Sequence, residues 1–232
     1  MWLKMRFSRL ELQIGKDNLK LLAEKTVLIV GCGGVGGYVI EALARSGIGT
    51  LILVDYDRVE SSNCNRQLVA LSSNFGKLKV DCYKDRCKEI NPDLNVITNS
   101  LQVTPDNFET VFEKKIDFVV DACDDLKVKY ALAQYCLEKN IAFISSMGTG
   151  NRFDPSKLII TTLDKTCNDP LAKAFRKKFS NKSDLKKIKV CTSTELPLKT
   201  NNGIISSNAF VPGGAGLLIA SYVIKTIIEF GG

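Results

Sequence analysis

The sequence predicts an α/β protein: a doubly wound, Rossmann-like, mostly parallel sheet, extended by antiparallel strands in its C-terminal part. Three observations carry that expectation. Short apolar, β-branched runs alternate with helix-periodic segments through the first two thirds of the chain. A glycine-rich loop, GCGGVGG at 31–37, separates the first such run from the first helical pattern. After residue 148 two more β-like runs follow without the usual crossover helix between them.

Residues 1–25 read as an N-terminal arm with helical character. Thr26 to Val30, Thr50 to Val54, Asn95 to Thr98, Phe118 to Asp121 and Ala142 to Ser145 are predicted strands, because short Val/Ile-rich runs bounded by polar or Gly/Pro residues suit buried parallel strands. Between them, Val35 to Ser46, Lys77 to Ile90, Pro105 to Lys114 and Lys127 to Glu138 carry apolar residues at helical spacing, with stop signals such as NPD at 91–93. Residues 26–147 thus form a nucleotide-binding half. In 148–232, KLIITTL (157–163) and GIISSNAF (203–210) are expected antiparallel strands. A short helix near Asp169 to Phe179 and a mobile basic loop come between them. Gly214 to Phe230, apolar around most of its circumference, is the helix that closes the core. One domain accounts for all 232 residues.

Composition excludes several kinds of chemistry. The chain has no histidine, which removes His-based acid–base catalysis, Ser-His and Cys-His triads and most transition-metal sites. Its eight cysteines form no CxxC pair and read as reduced, structural thiols of a cytoplasmic protein. Cys167 and Cys191 are the two outside apolar patterns, and neither is expected to capture an acyl group. The final apolar run is broken by Lys225 and Glu229, so no membrane association is expected. The net charge of +7 resides in residues 171–190, where eight Lys/Arg face one Asp. That segment suits contact with nucleic-acid phosphates, through Lys173, Arg176, Lys177, Lys178, Lys186 and Lys187.

In the glycine loop, Gly31 permits a tight turn, Gly33 and Gly34 let backbone amides approach an anion, and Gly36 lets the helix pack on the strand. The helix N-terminus adds oriented N–H groups. Asp55 ends the second strand and opens the pair with Asp57, where a carboxylate can hold ribose hydroxyls. Loop and ribose carboxylate suit NAD and ATP equally. Arg66, Lys79 and Asp124, from NRQL, FGKLKV and DACDD, have no required role in an NAD-dependent oxidoreductase. Transfer of the ATP α-phosphate needs such a set: two cations to neutralise the triphosphate and a carboxylate to hold Mg²⁺.

The succession GxGGxG, DxD, NxNRQ, GxxK and DxxD resembles that of the ATP-dependent activating enzymes of the ubiquitin-activating, ThiF/MoeB-like superfamily, over essentially the whole chain. The resemblance implies that Gly34 and Asp55 hold the nucleoside, that Asn63, Arg66 and Lys79 hold phosphates, with Asp57 and Asn65 beside them, and that Asp124 holds Mg²⁺. It also implies a homodimer in which Arg9 reaches the partner's γ-phosphate. Asp125 stands where the family has Asn, and the paired CxxC zinc motifs of carrier-activating members are absent. RFSRLELQIG, GTGNRFDPSK, KTCNDPLAKAFRKK and CTSTELP are similar to the branch that cyclises threonylcarbamoyladenosine in tRNAs reading ANN codons. Such an enzyme would adenylate the threonyl carboxylate and let the base's own ureido group close the ring. The alternatives are adenylation of the C-terminal Gly of a ubiquitin-like sulfur carrier and NAD-dependent oxidoreduction. There is also room for a sulfur-transfer or redox partner protein.

Overall fold

The computed structural model describes residues 6–200 and 204–229. Seven strands form one sheet: β1 (Thr26–Val30), β2 (Thr50–Val54), β3 (Asn95–Asn99), β4 (Phe118–Asp121), β5 (Ala142–Ser146), β6 (Leu158–Thr162) and β7 (Lys189–Ser193). Their order is β3-β2-β1-β4-β5-β7-β6, parallel throughout except for β6, which runs antiparallel to β7. The order reverses beside β1, and such a switch point opens a crevice at the C-terminal ends of β1 and β4. The described helices are α1 (Ser8–Ile14), α2 (Lys16–Ala23), α3 (Gly36–Ala44), α4 (Lys79–Ile90), α5 (Leu126–Lys139), α6 (Pro170–Arg176), α7 (Lys182–Leu185) and α8 (Phe210–Ile227).

The alternation of side chains along each strand sorts the core into two layers. Val27, Ile29, Leu51 and Leu53 pack with Val39, Leu43, Tyr83 and Ile219 of α3, α4 and α8. Leu28, Val30, Ile52 and Val54 face the other way, toward Val128, Leu132 and Cys136 of α5. By length and mean hydropathy α8 could cross a membrane. Instead it lies in the first layer, with Val211, Ala215, Ile219 and Val223 fully buried.

Four expectations are corrected. Pro105 to Lys114 holds only a 3₁₀ turn at Phe108–Phe112. Asn107 ties the segment locally, its Oδ1 accepting from Thr104 N and its carbonyl from Thr110 Oγ1, and such bonds compete with an α-helical ladder. The strand expected at 203–210 does not form over 204–208, and Gly203 lies outside the described residues. Its place beside β6 is taken by β7, from the segment expected to be a mobile loop. Nor is the basic stretch loose, since Phe175, Phe179, Leu185 and Ile188 bury into a third cluster with Ala133 and Val190. Finally, α8 starts at Phe210 rather than Gly214, because Asn208 Oδ1 accepts from the N–H groups of Phe210 and Val211. Phe230, its expected end, is outside the described residues.

An ion pair that periodicity gave no sign of sits under the crevice. Lys129 of α5 reaches Asp121 at the end of β4, Nζ to Oδ2 3.1 Å, and both side chains are fully buried. Ser145 Oγ donates to the same carboxylate oxygen at 2.6 Å, and Lys129 also donates to Ser146 O at 2.8 Å. Removing one partner of a buried pair strands the other charge, at a cost of about 3–5 kcal/mol. Lys129→Met is therefore expected to lower the unfolding free energy from a urea titration by that amount. The double variant Lys129→Met, Asp121→Asn should recover much of the loss, since it leaves no unpaired charge buried.

Candidate active site

The crevice is built on close backbone packing. Gly31 has φ +93°, and a β-carbon there would lie 2.6 Å from the Ala122 carbonyl oxygen. One at Gly36 would lie 1.8 Å from Gly31 O, so the first turn of α3 closes directly on the loop. These contacts bring the α3 N-terminus against the end of β4, with Gly37 N donating back to Gly33 O in the loop. Cys32, inside the loop, is fully buried in the first core layer, and burial beside the Asp55 charge pushes its thiol well up.

Asp55 holds this loop from below. Its Oδ2 accepts from Cys32 N at 2.6 Å and its Oδ1 from Asp57 N at 2.8 Å. Burial pushes its carboxyl up, against the opposing pull of those two amides. Asp57 in turn pairs with Lys79, Nζ to Oδ2 2.7 Å, and the Lys79 N–H donates to Asp57 O at 3.0 Å. Lys79 thus opens α4 as a buried cation whose single ionic partner lies at the rim.

Arg66 lies over the loop, since a β-carbon on Gly34 would come within 3.4 Å of its Cγ. Its Nη1 donates to Ser62 O at 2.9 Å and Asn65 Oδ1 at 2.8 Å. Asn63 is buried and serves the turn itself, its Oδ1 accepting from Glu60 N and its carbonyl from Arg66 N. Asn65 Nδ2 reaches Ser207 O at 2.9 Å, which ties this turn to the segment before α8. Gln67, not singled out from sequence, is buried above Gly33 with no partner for its Oε1 among the described residues.

Asp124 and Asp125 divide two roles. Asp125 caps α5, its Oδ1 accepting from Lys127 N at 2.6 Å and Val128 N at 3.1 Å. Asp124 is left exposed at the crevice, on the turn that Asp121 steadies through Cys123 N. Beyond Asp55, whose N–H donates to Asn99 O, a cavity of about 400 Å³ runs from Asn99 and Leu101 under Thr110 and Lys114. Sequence reasoning missed it because irregular segments form its wall.

Two sets of expected residues lie elsewhere. Arg9 is exposed on α1, which with Phe7 and α2 packs near Gly47, at the N-terminal edge of the sheet and opposite the crevice. No geometry within one chain brings it to the glycine loop. Among the basic residues, Lys173, Lys177, Lys178, Lys186 and Lys187 are exposed, whereas Arg176 turns inward. Its Nη1 donates to Thr166 O and Oγ1, so it clamps a turn and is removed from the solvent-facing set. Cys191 lies in β7, buried, with its thiol pushed up to about 12 by that burial. It is not the loop thiol the sequence suggested.

Comparison with known proteins matches residues 7–232 to the ThiF family model. A Bacillus subtilis tRNA threonylcarbamoyladenosine dehydratase is 39% identical over 97% of this chain and 95% of its own length. The Escherichia coli enzyme of that name is 38% identical over 80% of this chain and 69% of its own. The crystal structure of E. coli TcdA in complex with ATP superposes with a TM-score of 0.92 at 32% identity, covering 97% of this chain and 95% of that one.

Burial sets an order of thiol reactivity. Brief alkylation of the native protein at pH 8 should label Cys64 and Cys167, both exposed, and spare Cys32 and Cys191. Peptide mass spectrometry reads the outcome. Labelling of Cys191 at the rate of Cys64 would contradict its placement in β7.

Proposed function

The chain belongs to the ThiF family, and on that premise we propose that it is an ATP-dependent dehydratase that cyclises threonylcarbamoyladenosine in tRNA through an acyl-adenylate. The observation that carries this reading is the placement of Arg66 and Lys79 beside the glycine loop, with the exposed Asp124 on the turn after β4. A redox dinucleotide gives those three groups no task. A triphosphate gives each one.

In this reading Asp55 accepts from the ribose hydroxyls, and the base lies toward the cavity at Asn99–Leu101. Gly33 and Gly34 leave room for the phosphates, and Arg66 and Lys79 exchange their present partners for phosphate oxygens. Asp57, Asn63 and Asn65 hold those two cations and their turn in place. Among the described residues no group of three or more acidic or cysteine side chains could cage a metal. A single exposed carboxylate, Asp124, fits Mg²⁺, which takes most of its oxygens from phosphate and water. Bound there, the ion neutralises charge on the triphosphate.

The chemistry needs no histidine. A threonyl carboxylate oxygen forms a bond to the α-phosphorus as the α–β P–O bond breaks and pyrophosphate leaves. The ureido group of the same base then attacks the activated carbonyl, AMP departs with one carboxylate oxygen, and the ureido proton goes to solvent. The second step is intramolecular, so closure is favoured by proximity alone. The protein's part is to orient the two reactants and neutralise developing charge. No cysteine thioester is required, and the burial of Cys191 agrees with that.

We further propose that the enzyme works as a cytoplasmic homodimer. Since Arg9 lies opposite its own crevice, it reaches a γ-phosphate only from a second copy. An apolar groove beside α1, lined by Leu10, Ile14, Ala42, Leu217 and Ile224, supports such an assembly. The exposed Lys173, Lys177, Lys178, Lys186 and Lys187, on α6 or just after α6 and α7, would meet the tRNA backbone.

Incubation with ATP, Mg²⁺ and tRNA bearing threonylcarbamoyladenosine should convert that nucleoside to a product lighter by one water, as read by nucleoside mass spectrometry. No conversion by an active, folded preparation refutes the function. Lys79→Met and Asp124→Asn should each lower turnover by at least about 100-fold, while Asp124→Asn leaves thermal stability unchanged. Replacing Lys177, Lys178, Lys186 and Lys187 with Glu should weaken tRNA binding and leave ATP affinity near normal. Unchanged tRNA affinity in a filter-binding titration would remove those lysines from the interface.

A further inference from the structure

Arg152 is 2% exposed, yet its guanidinium makes one hydrogen bond, from Nη2 to Asn168 O at 2.5 Å. Its Nε and Nη1 are buried without a partner among the described residues. The carboxylates around it are engaged elsewhere. Asp169 accepts from Gly148 N, Ala172 N and Thr192 Oγ1, and Glu195 accepts from Phe153 N and Asp154 N. A guanidinium stays charged at any physiological pH, and a buried charge with unsatisfied donors is costly until an anion completes it.

The position of Arg152 says which anion. It ends the loop 147–152 that follows β5, and β5 lies next to β4, whose end carries Asp124. A chain of hydrogen bonds links this loop to the phosphate-side turn. Asn65 donates to Ser207 O, Ser206 N and Oγ donate to Asn151 Oδ1, and Asn208 Nδ2 donates to Arg152 O. Asn208 also caps α8, whose Pro212 would touch a β-carbon on Gly34 at 3.2 Å. Along the sheet edge Asp55 stands on β2, on one side of the glycine loop, and Arg152 follows β5 on the other. The nucleoside belongs to the first side, so the acceptor belongs to the second.

The residue after Arg152 strengthens the assignment. Phe153 and Phe210 are 63% and 52% exposed and meet edge to face, with ring centroids 5.5 Å apart. Exposed aromatic rings are how proteins hold an unstacked nucleobase, and this pair follows directly on the loop that Arg152 ends.

We infer that the loop 147–152, with Phe153 after it, is the acceptor subsite, where Phe153 and Phe210 stack on the modified base and Arg152 recognises the carboxylate of its threonyl arm. This rests on the tRNA reading above and goes further by naming what selects the substrate. Ile205 sits on Gly150 and Ser206 on Asn151, so residues 204–208 roof the loop, and the carboxylate reaches Arg152 when that roof shifts. Arg152 acts in recognition, ahead of the phosphoryl step.

The test is equilibrium binding, without ATP, of three forms of one tRNA: carrying threonylcarbamoyladenosine, carrying its methyl ester, and carrying plain adenosine. The wild-type protein should prefer the free carboxylate over the ester by roughly tenfold to hundredfold, the range of a hydrogen-bonded charge contact. Arg152→Met should lose that preference while keeping its affinity for plain tRNA, and Arg152→Lys should regain part of it. Phe153→Ala should weaken both modified forms alike. A folded Arg152→Met protein that still prefers the free carboxylate by the wild-type factor overturns the inference. So does a wild-type protein that binds ester and free acid equally, a result that needs no variant to fold. If the wild-type protein ignores the modification altogether, the tRNA reading falls with it.

Discussion

Every group at the crevice depends on how the end of β4 is held, and one buried carboxylate holds it. Asp121 lies where β4 leaves the sheet, with β1 on one side and β5 on the other. It binds Lys129 from the helix above, Ser145 from the next strand, and the N–H of Cys123 from the turn it starts. That turn carries Ala122, whose carbonyl sets the closest approach of Gly31, and the exposed Asp124. Glycine loop and acidic turn are therefore two sides of one contact. A charge pair in so dry a place is a poor way to gain stability but fixes geometry well, because neither partner has anywhere else to go.

From that fixed centre the crevice divides along the sheet edge. Toward β2 and β3 lie the Asp55 carboxylate and the cavity beyond it. Toward β5 and β7 lie Arg152 and the aromatic pair. Between them the loop presents backbone, with Arg66 above and Lys79 below. Two reactants can thus be bound by separate parts of one sheet and meet over a surface without side chains. This geometry makes proximity the main contribution of a protein that lacks histidine.

Much of this was legible in the sequence. The five parallel strands were readable because each is a short β-branched run, and the glycine loop was readable because Gly31 and Gly36 tolerate no other residue at the distances observed. Arg66, Lys79 and Asp124 could be chosen by charge and spacing. What failed did so for physical reasons. KVCTS was hidden as a strand by the lysines at 186, 187 and 189, the last of which is its first residue, while in 204–210 the N–H groups of Ser206 and Phe210 go to asparagine side chains. The pattern that located the basic segment could not show that Arg176 turns inward. Asp121, Lys129 and Arg152 matter through burial, which no periodicity records, and the part Arg9 would play lies outside any single chain.

The ion pair between Lys79 and Asp57 has a consequence for discrimination among anions. The crevice is not an open positive well, since Lys79 is paired with Asp57 and Arg66 donates to Ser62 O and Asn65 Oδ1. A solitary phosphate offers too few oxygens to displace both sets of partners at once. A triphosphate can engage both cations together, so each exchange it makes lowers the barrier to the next. In the proposed reading, self-pairing would be a threshold that disfavours small anions and admits a ligand carrying several charges on one chain.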